Sequence, residues 1–177
     1  FDALVSMGTY RFNHPDYCTP VLSDDILLQA EEMGHPLLNT KGKVSNDFEV
    51  RKLHDLYIVT GANMAGKSTF LRTVGVNLVL ALSGNVVCSR TFACRTMSLF
   101  TSMRTTDNLA KGTSYFHAEL LRLQQLVATA EHDPQHFHNV CFEIEHAGEK
   151  IIYDYKLRPG VSRNMNASIL LQQMGLI

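Results

Sequence analysis

The apolar positions change period several times along the chain, and each change marks an element. Residues 1–10 read as the end of a helix. Ser23 stands as an N-cap before DDILLQAEEMG, a helix with acidic residues in its first turn, ended by Gly34. His35-Pro36 starts an extended piece, and KGKVSND is a polar loop. Residues 56–60, LYIVT, form a short run of strand formers bounded by glycine. Residues 67–82 follow as a helix, amphipathic at first and then apolar on most sides, which places it inside, against a sheet.

Further on, residues 96–104 predict a strand. Residues 114–129 predict a helix whose stripe is Phe116, Leu120, Leu121, Leu123 and Leu126. Residues 138–145 alternate, with Val140, Phe142 and Ile144 on one face. HAGEK then turns the chain into a second strand over 151–157, so the two make an antiparallel hairpin. Pro159-Gly160 breaks the chain and residues 164–174 close it with a helix.

A chain of 177 residues suits one domain, or one plus part of another. The formal net charge of -1 excludes a generally basic nucleic-acid coat, so DNA contact must be local or come from other parts of a larger protein. The opening FDALVSMGTY has neither an initiator Met nor a basic lead, which points to a fragment of a larger protein rather than a secretory signal. No apolar run approaches the roughly 20 residues that span a bilayer, so no membrane contact is expected. Cys18, Cys88, Cys94 and Cys141 form no CxxC pair and read as reduced thiols of a cytoplasmic protein. His132, His136, His138 and Cys141 invite a zinc reading, but Pro134 interrupts the helical spacing and His138 and Cys141 have opposite strand parity. A polar loop entering a strand is the expectation there.

The apolar run LYIVT leads straight into Gly61-Ala62-Asn63-Met64-Ala65-Gly66-Lys67-Ser68-Thr69, a G-x-x-x-x-G-K-S phosphate loop. Gly61 and Gly66 permit the backbone angles that curl successive N–H groups toward one anion. The helix that follows points its positive end at the same place. Lys67 reaches the outer phosphates as a point charge, and Ser68 offers its hydroxyl to Mg²⁺; these two are the candidate catalytic residues. Hydrolysis also needs an acidic residue at the end of an apolar strand, to hold Mg²⁺ and orient water. The candidates are Glu143, Glu145 and Asp154, and none follows a run of four or more apolar residues. The chain as given therefore carries half of an ATPase site.

TGANMAGKSTFLRTVGVN resembles the phosphate loop of MutS-type mismatch-repair ATPases. Gly34-His35-Pro36 and Ser45-Asn46-Asp47 are similar to that family's lead-in, the segment from Asp107 to Phe116 with Glu119 to its signature segment, and residues 139–160 to its C-terminal hairpin. The resemblance covers roughly residues 30–177. It implies an α/β fold of the P-loop NTPase, ABC-type ATPase class, with a β-hairpin near the C-terminus. It implies ATP or ADP with Mg²⁺ as cofactors, and a homodimer in which Gly112 and Ser114 contact the partner's γ-phosphate. DNA would be bound through other domains of the full-length protein. Ser114 reads equally well as a helix N-cap. The family often stacks an aromatic on adenine just before its Asn; here that stretch is Lys43-Val44-Ser45-Asn46, of which the resemblance makes Val44 and Asn46 direct nucleotide-binding candidates, and Tyr155 is the candidate replacement for the aromatic, or an ordinary strand tyrosine.

On this reading residues 1–22 are the tail of a preceding helical domain or a linker, and 23–177 the ATPase domain. The acidic strand should follow the helix ending near Glu131, yet Glu131 meets His132 directly. A strand–helix–strand unit of roughly 30 residues has no room there, so residues are expected to be missing near 130–132. Two other functions fit the motif: a small-molecule kinase using Asp154 on Mg²⁺ with an arginine-bearing lid drawn from Arg90, Arg95, Arg158 and Arg163, and a nucleotide-responsive interaction module without turnover.

Overall fold

The computed structural model describes residues 1–38, 43–99, 101, 137–147 and 150–162. Two helices and seven strands are formed among them: α1 (Asp2–Asn13), β1 (Val21–Leu22), β2 (Leu28–Met33), β3 (Asn46–Val50), β4 (Leu56–Gly61), α2 (Lys67–Leu82), β5 (Thr91–Cys94), β6 (Phe137–Ala147) and β7 (Lys150–Pro159). One sheet has the order β1-β5-β2-β3 and the other β4-β6-β7. β4 runs parallel to β6 from Leu56↔Phe137 to Gly61↔Phe142, and β7 returns antiparallel along β6.

The expected ABC-type P-loop NTPase fold is not what these residues form. An α/β sheet of that class is built from repeated strand–helix–strand crossovers between parallel strands. Here β4 has one parallel neighbour, β6, whose other edge is taken by the antiparallel β7. The helix after β4 leads instead into β5 of the other sheet, where β2 pairs antiparallel on both sides. The architecture is two small mixed sheets held together by α2, with a C-terminal hairpin as a part of the smaller one.

The capped helix expected after Ser23 is also corrected. Its residues give strand β2, in which Leu28, Ala30 and Met33 are buried. Only Leu28 and Ala30 follow simple alternation. A bulge between Ala30 and Met33, with Glu32 at φ 51, brings Met33 back to the buried face, and Asp47 accepts the Glu32 N–H at 2.7 Å. A short isolated helix is marginal, whereas a central strand has partners on both edges and an apolar face to bury. The local signal at Ser23 survives as a turn, its hydroxyl accepting the Asp25 N–H at 3.3 Å. Strand β5 lies before the strand expected over 96–104; of that stretch, residues 96–99 and 101 are irregular and the rest lies outside the described residues. Pro36 begins a turn rather than an extended piece, closed by Leu38 N–H on the His35 carbonyl. The helices expected over 114–129 and 164–174 lie outside the described residues, as do residues 130–132.

Helix α2 spans the expected residues and packs between the sheets. Its buried positions Phe70, Thr73, Asn77 and Ala81 recur at three- and four-residue spacing, with Leu78 beside them. Phe70 joins the layers: its ring meets Phe48 of β3 edge-on at 5.2 Å and Phe142 of β6 at 5.7 Å. Asn77, fully buried in an otherwise apolar stretch, donates to the Gly34 and Thr73 carbonyls and accepts the Cys88 N–H at 2.8 Å. It thereby fixes Gly34, and with it the start of the His35 segment, against the helix.

Gly75 is the one α2 position with no packing reason for glycine, since a Cβ there meets nothing within 4 Å. Gly75→Ala should raise stability by about 0.5–1 kcal/mol, read as a higher urea midpoint. A lower midpoint would show that the helix face is covered at this point. All four cysteines are free, and Cys88, Cys94 and Cys141 are buried. Burial pushes the thiols of Cys18, Cys94 and Cys141 up, away from reactive thiolate. Among the described residues no helix is long and apolar enough to cross a membrane.

Candidate functional site

Strand β4 delivers the chain to Gly61 at the point where it must pass close to β6. Gly61 has φ 143, and a Cβ there would lie 2.6 Å from the Phe142 carbonyl oxygen, so only glycine fits without backbone movement. The loop closes at Gly66, φ 108, which is the N-cap of α2. No side chain caps this helix, so its first N–H groups face the loop without the usual side-chain acceptor. The donors and dipole of such an N-terminus favour negative charge.

Lys67 is folded back over the loop. Its Nζ donates to the carbonyls of Gly61 at 2.7 Å and Ala62 at 2.5 Å. Burial lowers its pKa from the ordinary lysine value. The ammonium is thus at the cavity wall, bonded to two neutral carbonyls rather than to a carboxylate.

A cavity of about 530 Å³ opens at this place, within the size range of small-molecule sites. Asn63, Met64, Gly66, Lys67, Ser68 and Thr69 line its phosphate-loop side. Val44, Asn46 and Tyr155, drawn from segments distant in sequence, line it as well. Gly61, Ala62 and Ala65 are not on its wall; the side chains of Ala62 and Ala65 are buried in the core. Gly112 and Ser114 lie outside the described residues.

Six lining residues escaped the sequence reading of the site: Met33, His35, Leu38, Phe70, Thr73 and Phe142. Phe70 and Thr73 follow Gly66 and Thr69 at helical spacing, so their shared face was there to be read. Met33 and Phe142 belong to two different sheets and become neighbours of the loop through pairing alone. The His35 Nδ1 accepts the Leu37 N–H at 3.2 Å, which leaves the proton of the neutral ring on Nε2. Burial, and then the Arg72 charge, lower its pKa and favour that neutral form.

The acidic candidates stand elsewhere. Asp154 accepts from Arg158 and from the Lys156 N–H; burial pushes its carboxyl up, but these bonds outweigh it and hold the pKa below the ordinary value. Glu145 lies 4.0 Å from Arg158, and Glu143 accepts from the Cys141 thiol at 3.8 Å. Among the described residues no carboxylate lines the cavity. Of the zinc candidates, His132 and His136 lie outside the described residues, while His138 stacks on Tyr57 with ring centroids 4.7 Å apart.

Comparison with known proteins bears on this loop. Residues 57–135 match the family model for MutS domain V. The chain is 32% identical over 126 residues to the DNA mismatch repair protein MutS of Rickettsia akari. The proteins of that name from Staphylococcus haemolyticus and Staphylococcus saprophyticus are 32% identical over 123 residues and 33% over 120. These alignments cover 65–67% of this chain and 14% of each relative, so the chain spans about a seventh of the relatives' length. The matched segment contains the loop from Gly61 to Thr69, so over residues 57–135 the chain is similar to MutS domain V, and it resembles MutS-named mismatch-repair proteins over about two thirds of its own length.

Proposed function

We propose that this chain binds ATP or ADP with Mg²⁺ at the phosphate loop and serves as the nucleotide-responsive part of a MutS-like DNA mismatch-repair protein, whose full-length form hydrolyses ATP. The supporting observation is the cavity that joins the α2 N-terminus, Lys67 and Ser68 to Tyr155, 87 positions beyond Ser68 in the chain. The residues present fit the group: uncapped N–H donors and an ammonium for the phosphates, a hydroxyl for the metal, and an aromatic ring for the base. Mg²⁺ would neutralise phosphate charge when bound, with Ser68 as its protein ligand. The rest of the reading extends to a homodimer in which Gly112 and Ser114 meet the partner's nucleotide, to residues 1–22 as a lead-in from a neighbouring domain, and to a cytoplasmic location.

Titration calorimetry with ATP and Mg²⁺ tests the site; no heat with either ATP or ADP would sink it. The lack of a cavity carboxylate among the described residues favours, as a second reading, a module that binds nucleotide without turnover. Phosphate release equal to buffer from a chain that binds ATP supports that second reading. The kinase alternative loses ground because Asp154 is engaged by Arg158. A net charge of -1 predicts weak duplex binding by this chain, because affinity for duplex rests on phosphate neutralisation. Fluorescence anisotropy should show none below micromolar concentration at physiological salt, and tight, steeply salt-dependent binding would place the DNA grip here.

A further inference from the structure

We propose that Asn46 is a positioning residue: its carboxamide holds the β7 backbone so that Tyr155 presents its ring beside the phosphate loop, where it receives the nucleotide base. The inference rests on the nucleotide reading above and reassigns Asn46 from direct ligand to support.

The observations start from the pairing of β6 with β7. Phe142 is opposite Leu157 and Ile144 is opposite Tyr153, so three residues of β7, 154–156, face the single residue Glu143. This is a bulge, the device by which a strand re-aims a side chain. At its centre Tyr155 has φ 54, the left-handed region that a bulky residue rarely enters and keeps only when its surroundings impose it.

One side chain from the other sheet holds both ends of this turn. Asn46 Nδ2 donates to the Tyr155 carbonyl at 3.0 Å, and Asn46 Oδ1 accepts the Leu157 N–H at 2.8 Å. The two bonds bracket Lys156 and bind both ends of the irregular turn. Lys156 Nζ adds a bond to the Ser45 carbonyl at 2.8 Å, and Asp154 accepts the Lys156 N–H at 3.1 Å. The carboxamide oxygen and one amide hydrogen are therefore committed to backbone.

The result is a ring in a chosen place. A Cβ on Gly66 would lie 3.2 Å from Tyr155 Cδ1, so the ring stands at the lip of the phosphate loop. Tyr153 stacks near it, centroids 6.0 Å apart at 18°, yet Tyr155 keeps 41% of its surface exposed. A tyrosine needed only for packing would be buried by the contacts that hold its backbone. This one is held by backbone contacts, lines the cavity and stays partly exposed, as base stacking needs.

The test is calorimetric titration of the chain and its variants with ATP and with tripolyphosphate, which has no base. Asn46→Ala should weaken ATP roughly tenfold, as loss of a stacked base does, and leave tripolyphosphate binding unchanged. Tyr155→Gly, which adopts positive φ freely, should weaken ATP by a similar factor. The double variant should be no weaker than either single one, because the amide then has no ring to position. Asn46→Asp keeps the acceptor for Leu157 and loses the donor to Tyr155; it should fall between wild type and Asn46→Ala. Additive losses in the double variant would overturn the proposal in favour of direct contact. An equal loss of tripolyphosphate in Asn46→Ala would overturn it in favour of a general structural role. If wild type binds no tripolyphosphate, or binds it equally well after Lys67→Ala, the phosphate-loop reading fails first and the inference falls with it.

Discussion

Lys67→Ala should largely remove nucleotide binding, weakening ATP by about ten- to a hundredfold. A hydrogen bond between charged partners contributes about 1.5–3 kcal/mol, and Lys67 is the ammonium at the cavity wall among the described residues. The free chain should tolerate the change, because the variant loses only two bonds to the Gly61 and Ala62 carbonyls at the edge of a cavity. Its melting temperature should stay within a few degrees of wild type while the calorimetric heat with ATP largely disappears. A variant that melts normally and binds ATP as wild type does would show that the ligand, if any, sits elsewhere in the cavity.

The same residue gives the site a pH dependence with a defined sign. Burial lowers the Lys67 pKa below its ordinary 10.5, so between the two values the folded chain holds fewer protons than the unfolded one, and this group's contribution to stability rises with pH. A bound phosphate favours the charged form. Above the lowered pKa, binding therefore takes up a proton and ATP affinity falls as pH rises; below it, the affinity owes nothing to this titration. Lys67→Ala should remove that alkaline limb.

Phe70→Ala should cost about 3–5 kcal/mol, a large part of the 5–15 kcal/mol that stabilises an ordinary domain. The ring is 5% exposed and touches both sheets, through Phe48 and Phe142. Phe70→Leu keeps most of the apolar volume and should cost about 1.5 kcal/mol or less. Urea denaturation of the pair separates the two effects, and a shift below 1 kcal/mol for Phe70→Ala would mean that α2 does not join the sheets through this ring. Phe70 also lines the cavity, so the alanine variant should bind ATP more weakly even at temperatures where it remains folded.

Much of the site could be read along the chain because its parts are close in sequence. The phosphate loop occupies nine consecutive positions, and its flanking strand and helix follow from strand formers before Gly61 and helical spacing after Gly66. Helix α2 covers Lys67–Leu82 and the hairpin lies where alternation placed it. The family resemblance likewise rests on contiguous motifs. Asn77 interrupts the apolar run of α2, and a lone amide there is a sign of a buried network; its partners, Gly34 and Cys88, are 43 and 11 residues away and could not be named from spacing.

Where linear reading went astray, pairing was the cause. Residues 23–33 carry a helix cap and helix formers, but β3 and β5 bond to both edges of 28–33, and that demand outweighs local propensity. The ABC-type ATPase fold followed from resemblance, and the strand order among the described residues does not give it. Asn46 and Tyr155 were each singled out, but not their relation, which spans 109 positions.

Sequence therefore specified the loop, its glycines, its lysine and the helix behind it, because their conformations depend on near neighbours and on backbone sterics. Tertiary structure assigned the strand at 28–33, the face of Tyr155 and the walls of the cavity, because these depend on which distant backbones find each other's hydrogen bonds.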